Sequence, residues 1–368
     1  LNQAVDFTNL GDPAASQTAA AEAEELARRL GDLGLLARIL LARASAATGT
    51  GSWPEVERLA REAELSARSV EAPAQLGLAL GLFGIARREQ GDLAGSRRAH
   101  EEEEQVATAL GDPGQLAVAW SNLAAVDIAE NRFADAVARM DRAEPVFRQQ
   151  GTVTNLLPLL ANRGQVHAHT GDVARAIPDL VDGGALAVQL GNHPLAKQLL
   201  ETAVQYLYST GRMAEAEPAW KNLAAACRAL GDDAGLQRAL GEQALVVLGR
   251  MELDGAAALL DEQEAICRRI GDQVGLASCV GNRAILLRHR NDFTGSLSCI
   301  DEQLALSRAT GNAQGVLFAT ANRGEILGLL GRRDEARAAL LEARQMAQQW
   351  NLAPMVAQLD QMIAALGN

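Results

Sequence analysis

Leu110-Gly111-Asp112-Pro113-Gly114-Gln115-Leu116-Ala117-Val118-Ala119-Trp120-Ser121-Asn122-Leu123-Ala124 decides how this 368-residue chain is read. Gly111 closes one helix, because glycine adopts the left-handed conformation that ends a helix. Asp112 and Pro113 open the next, as cap and as first-turn residue. The apolar run that follows carries a lone Asn. Versions recur as Leu230-Gly231-Asp232, Ile270-Gly271-Asp272 and Thr310-Gly311-Asn312. Stepping by 40 from Gly31 gives Glu71, Gly111, Gly151, Gly191, Gly231, Gly271, Gly311 and Asn351. A second ladder runs Gly11, Gly51, Gly91, Asn131, Gly171, Gly211, Met251, Asn291 and Gly331. The two interleave without gaps, so a turn falls every 20 residues.

Between the turns the pattern is helical. Pro13, Pro54, Pro73 and Pro113 sit just inside helix starts, and Asp12, Asp32, Asp92, Asp112, Asp172, Asp232, Asp272 and Asp292 stand where they cap exposed N–H groups. The spacing predicts 18 or 19 antiparallel helices in about nine helix-turn-helix pairs. Small residues recur on first helices (Ala44, Gly84, Ala124, Gly164, Ala244, Ala284, Gly324, with Val204 bulkier). They recur on second helices as Val56, Ser96, Ala136, Ala176, Ala216, Ala256, Ser296 and Ala336, and mark the closest approach within each pair. Pro145, Pro178 and Pro218 fall inside second helices and predict kinks there. Asp6, Phe7 and Leu10 read as the end of a helix that starts earlier. With no Met at position 1, further sequence is expected before Leu1.

Composition supports the helical reading: 48% of residues are hydrophobic but only 3% aromatic, which disfavours sheet. A net charge of −12 repels phosphate backbones, so neither nucleic acid nor an anionic membrane is an expected partner. The longest apolar run, residues 76–86, is too short for a span, which needs about 20. Cys227, Cys267, Cys279 and Cys299 form no Cys-x-x-Cys pair, so buried thiols and a cytoplasmic setting are expected.

These residues resemble the tetratricopeptide repeat (TPR) family: the small residue in the middle of the first helix, the Gly at the turn and the small residue early in the second helix match. Trp120 and Leu160 fall where the family places a large residue. The 40-residue period resembles the longer LGN/AGS-like or kinesin-light-chain-like repeat. The resemblance implies an all-α right-handed superhelix, an α-solenoid, over 1–368. It would comprise a partial unit at 1–30, 40-residue units from 31 to 350 and a capping helix at 351–368.

No catalytic constellation stands out. His167 and His169 are two apart and point to different faces, and His100-Glu101-Glu102-Glu103-Glu104 lacks the second His of a zinc helix. Glu101 to Glu104 reads as a solvated outer face. Phosphate loops, nucleophile elbows and dinucleotide fingerprints are absent, so no enzyme, metal site or cofactor is expected.

Asn122, Asn162, Asn282 and Asn322 hold one position of the repeat. The resemblance implies that this position faces a concave groove and pairs with the backbone of an extended peptide. The alternative is that each Asn bonds the neighbouring unit's backbone and only shapes the superhelix. Helical spacing adds Gln165, His169, His289 and Glu325 to the strip. Arg163, Arg283 and Arg323, at the groove edge or the seam between units, are candidates to grip a carboxylate. Thr202 and Glu242 break the ladder, and Leu78, Leu82 and Ile85 make one stretch of it apolar, either as an anchor pocket or as core. The expected function is a non-catalytic scaffold that binds a protein or peptide in the groove. The alternative is a regulatory sensor cut from a multidomain bacterial signalling ATPase or transcription regulator, binding a small effector or other domains of the same chain.

Overall fold

A computed structural model describes residues 13–367, and over them the secondary structure is helical. The helices are α1 (Pro13–Leu30), α2 (Leu33–Thr48), α3 (Trp53–Ser69), α4 (Pro73–Glu89), α5 (Leu93–Leu110), α6 (Pro113–Ala129), α7 (Phe133–Gln150), α8 (Val153–His169) and α9 (Val173–Gln189). They continue as α10 (His193–Ser209), α11 (Glu217–Leu230), α12 (Asp233–Gly249), α13 (Leu253–Ile270), α14 (Gln273–His289), α15 (Phe293–Ala309), α16 (Ala313–Leu329), α17 (Arg333–Gln349) and α18 (Ala353–Ala365). Two compact units divide the chain, one ending at Asp179 and the other beginning at Leu180, within α9.

The punctuation of the sequence is the punctuation of the backbone. Every twentieth residue from Gly31 to Asn351 has a positive φ, including Glu71 (52°) and Met251 (63°), whose side chains pay for that conformation. Asp32, Asp92, Asp112, Asp172, Asp232, Asp272 and Asp292 each accept a backbone N–H from the first turn of the following helix. Asp12, with Asp6, Phe7 and Leu10, lies outside the described residues.

Proline behaves less uniformly than expected. Pro145 and Pro178 lie inside α7 and α9, as does Pro158 inside α8. Pro218 does not interrupt a helix. A 3-10 turn at Met213–Glu215 precedes it and α11 begins at Glu217, so the proline sits in the first turn, where its missing N–H has no helical partner to lose.

Within each unit, consecutive helices pack against each other. The first helices of successive pairs also touch: α2, α4, α6 and α8 in the first unit, and α12, α14 and α16 in the second. They therefore line one face of their unit. The small residues predicted at the closest approach are buried throughout. A Cβ on Gly84 would come within 2.5 Å of the His100 ring, and one on Gly324 within 2.6 Å of Leu340 Cγ. These contacts require glycine because interiors are packed to near-crystalline density.

Candidate functional site

The Asn ladder divides into two kinds of position. Asn122 donates through Nδ2 to Glu103 Oε2 at 3.2 Å, and the same oxygen lies 2.7 Å from His100 Nδ1. Glu103 is 4% exposed, and a Cβ on Gly81 would fall 2.7 Å from its carboxylate. The solvated reading of Glu101 to Glu104 therefore fails at Glu103, which anchors a buried polar cluster. Glu104 is also engaged, accepting from Trp120 Nε1 at 2.8 Å. Asn282 donates to the backbone oxygen of Gly241 at 3.4 Å, in the preceding unit of the repeat. Asn162 and Asn322, both half-buried, form no side-chain hydrogen bond with another described residue. Their amides remain able to take a ligand.

The arginines that follow three of these Asn residues are seam clamps. Arg163 is 8% exposed and lies 2.8 Å from Asp141, 2.6 Å from Glu144 and 2.7 Å from Asp179. Those carboxylates hold the guanidinium charged, against the pull of burial. It cannot grip a ligand carboxylate, because three acidic partners already surround it. Arg283 repeats the arrangement with Asp261 and Glu264, each at 2.8 Å. Arg323 repeats it with Asp301 at 2.8 Å. The Asp lies 22 residues before its Arg in all three, so the clamp joins the second helix of one pair to the first helix of the next.

The remaining candidates scatter. Gln165 is exposed, as is His169, whose ring centroid lies 4.9 Å from that of Phe133. His289 is half-buried, and Glu325 pairs with Arg288 at 2.6 Å. Leu78 is 52% exposed, whereas Leu82 packs on the core cluster around Leu40 and Leu59 and Ile85 is half-buried. The apolar stretch is thus partly core. Three thiols are fully buried, and burial pushes them up to about 11 (Cys227), about 11 (Cys267) and about 12 (Cys279), which removes their nucleophilic form at neutral pH. Among the described residues, no group of His, Cys, Asp and Glu side chains is placed to hold a metal, and no helix is long and apolar enough to cross a membrane.

The second unit carries a row of clefts on the face of its first helices. On α16, Phe318, Asn322 and Glu325 follow one another at helical spacing on the face of the first helices. Each of three neighbouring clefts is lined by one or more of them. One of about 170 Å³ lies towards α18, where Met355, Met362 and Gln358 complete its wall. One of about 100 Å³ lies towards α14, between Arg288, Ile285 and Asn322. A third, of about 200 Å³, lies beyond Phe318 and is lined by uncharged residues, among them Ser278, Gln303, Ser307 and Gln314. Sequence reasoning named Asn322 and Glu325 but missed Phe318, Met355 and the polar floor. The available signal was Phe318, an exposed aromatic four residues before Asn322 in a chain poor in aromatics.

The fold is an all-α array of helix-turn-helix repeats that resembles the tetratricopeptide repeat. No family model and no curated protein matches the sequence. Similar solved structures do exist. BtubC (BKLC) from P. vanneervenii is 20% identical, with a TM-score of 0.40 over 69% of this chain and 91% of that one. The quorum sensor NprR from B. thuringiensis, in its apo form, is 13% identical, with a TM-score of 0.41 over 94% and 96%. A signal transduction ATPase with a tetratricopeptide repeat sensor, from Pyrococcus horikoshii, is 11% identical, with a TM-score of 0.44 over 98% of this chain and 54% of that one.

Proposed function

We propose that this chain is a protein-interaction module that binds an extended segment of a partner across α14, α16 and α18 of the second unit. One observation carries the reading: each of three neighbouring clefts is lined by one or more of Phe318, Asn322 and Glu325, and the Asn322 amide there has no hydrogen-bond partner among the described residues. An Asn amide offers two donors and an acceptor, which suits a peptide backbone. The clefts, about 100 to 200 Å³ each, are smaller than the roughly 300–1,000 Å³ that encloses a metabolite-sized ligand. They suit successive side chains better, which favours a peptide over the small effector of a sensor.

Selection of a displayed random-peptide library on the full 368-residue chain tests this. Enriched peptides should bind about tenfold or more weakly to Phe318→Ala and Asn322→Ala, while Asn282→Ala changes little. Helical circular dichroism should stay intact in all three. If no peptide is enriched, or binders ignore Phe318 and Asn322, the assignment is wrong. Asn162 in the first unit supplies an independent test with the same library.

A further inference from the structure

The polar cleft beyond Phe318 has a filled counterpart 40 residues earlier, and the comparison names what it accepts. In the earlier repeat, Gln237 reaches from α12 into the equivalent place. Its Oε1 accepts from Gln263 Nε2 at 3.2 Å and from the Cys267 thiol at 3.5 Å, and its Nε2 donates to Asp272 Oδ2 at 3.0 Å. Forty residues on, Gln263, Cys267 and Asp272 become Gln303, Ser307 and Asn312, and all three line the cleft. Gln237 becomes Ala277, also in the lining. The amide is gone while its polar surroundings stay. Ser307 is 1% exposed, and its hydroxyl, which stands where the Cys267 thiol meets Gln237, is buried without a partner among the described residues. Such orphaned groups cost free energy unless something completes them.

We infer that this cleft is a subsite for a glutamine side chain of the bound segment, whose primary amide takes the place Gln237 holds one repeat earlier. This rests on the peptide reading above and adds its side-chain preference. Each feature of the cleft selects an amide. No charged residue lines it, so a carboxylate or ammonium would be desolvated without a counter-charge. Asn312 spends its Oδ1 on the backbone N–H of Gly315 at 2.9 Å, leaving its NH₂ as the donor for a ligand carbonyl. The ligand NH₂ then faces Ser307 Oγ, which can accept from it. Asn312 where the earlier repeat has Asp272 thus turns the amide end for end. Phe318 walls the cleft and covers the methylenes of the incoming side chain. Gly315 keeps the floor open, since a Cβ there would come 2.6 Å from Ser307 Oγ.

The test uses N-acetyl-glutamine methylamide as the probe, with capped glutamate and capped methionine as controls, titrated into the full chain and followed by amide NMR. The capped glutamine should shift the Ser307 and Gly315 signals saturably, and the controls should not. Ser307→Ala should weaken the effect about tenfold. Ala277→Gln should abolish it by supplying the amide internally, and should also raise the Tm relative to Ala277→Met. Equal shifts from capped methionine or glutamate, or an unchanged titration in Ser307→Ala, would overturn the subsite. Library peptides that depend on Asn322 but show no glutamine preference would leave the binding face standing and remove the subsite. Capped glutamine seated in the cleft with no peptide enriched would do the reverse.

Discussion

Arg163 and Arg323 occupy the same repeat position and clamp the same seam, yet burial gives their ion pairs different weights. Arg163 and Asp179 are 8% and 6% exposed, so truncating the arginine strands a buried carboxylate. Arg163→Ala should cost about 3–5 kcal/mol in urea unfolding. Arg323→Ala, whose pair with Asp301 is largely open to water, should cost less than about 1 kcal/mol. Similar losses for the two would refute the greater weight of the buried Arg163 pair. Glu242 gives a pH signature. Burial raises its pKa above the usual 4.5, so the folded chain holds that proton more tightly than the unfolded one. Its contribution to stability is present below the unfolded pKa and is lost as pH rises through the folded value. Glu242→Gln should therefore gain stability over wild type progressively as pH rises above about 4.5, and a difference that stays constant with pH would contradict the burial.

At the scale of elements, the helix ends were legible because their chemistry is local. Asp112 accepts from Gly114 and Gln115 within its own first turn, and Asp112→Ala should cost about 1 kcal/mol by chemical denaturation. Met251 was legible as an exception, and its φ of 63° shows that the turn geometry is imposed whatever residue stands there. Met251→Gly should then stabilise the chain by up to about 1 kcal/mol, the relief of a left-handed side chain less the entropy glycine adds to the unfolded state. A loss of stability would show that the Met251 side chain contributes more than its backbone strain. The fates of the Asn residues were not legible, because they are settled by partners from other helices. Glu103 stands 19 residues before Asn122, and the Gly241 carbonyl 41 before Asn282. Nothing in the helix around Asn162 or Asn322 distinguishes them from those two. The polar cleft was readable in principle, since Ala277 interrupts what Gln237 began, but only by comparing lining positions rather than turn positions.

For the whole molecule, packing is short-ranged in sequence: helices touch their neighbours and the next first helix. Stability in such arrays is approximately a sum of local terms. Gly324→Leu, which drives a side chain into Leu340, should therefore raise hydrogen exchange in α16 and α17 while leaving α2 to α6 protected as before. Loss of protection across α2 to α6 would reveal a cooperativity that these contacts do not supply.

The left-handed residue at every twentieth position also bears on how such a gene can change length. Crossing over between any two repeats at the same phase yields an in-frame chain whose junction is already a working turn. Joining Gly231 to Asp272, for example, recreates Leu-Gly-Asp while excising 40 residues. It also discards Gln237, and leaves Asp272 at the start of a first helix whose Ala277 lining is unchanged. Repeat number and the occupancy of each cleft are therefore separately heritable, so a lineage can lengthen its binding face without redesigning a single turn.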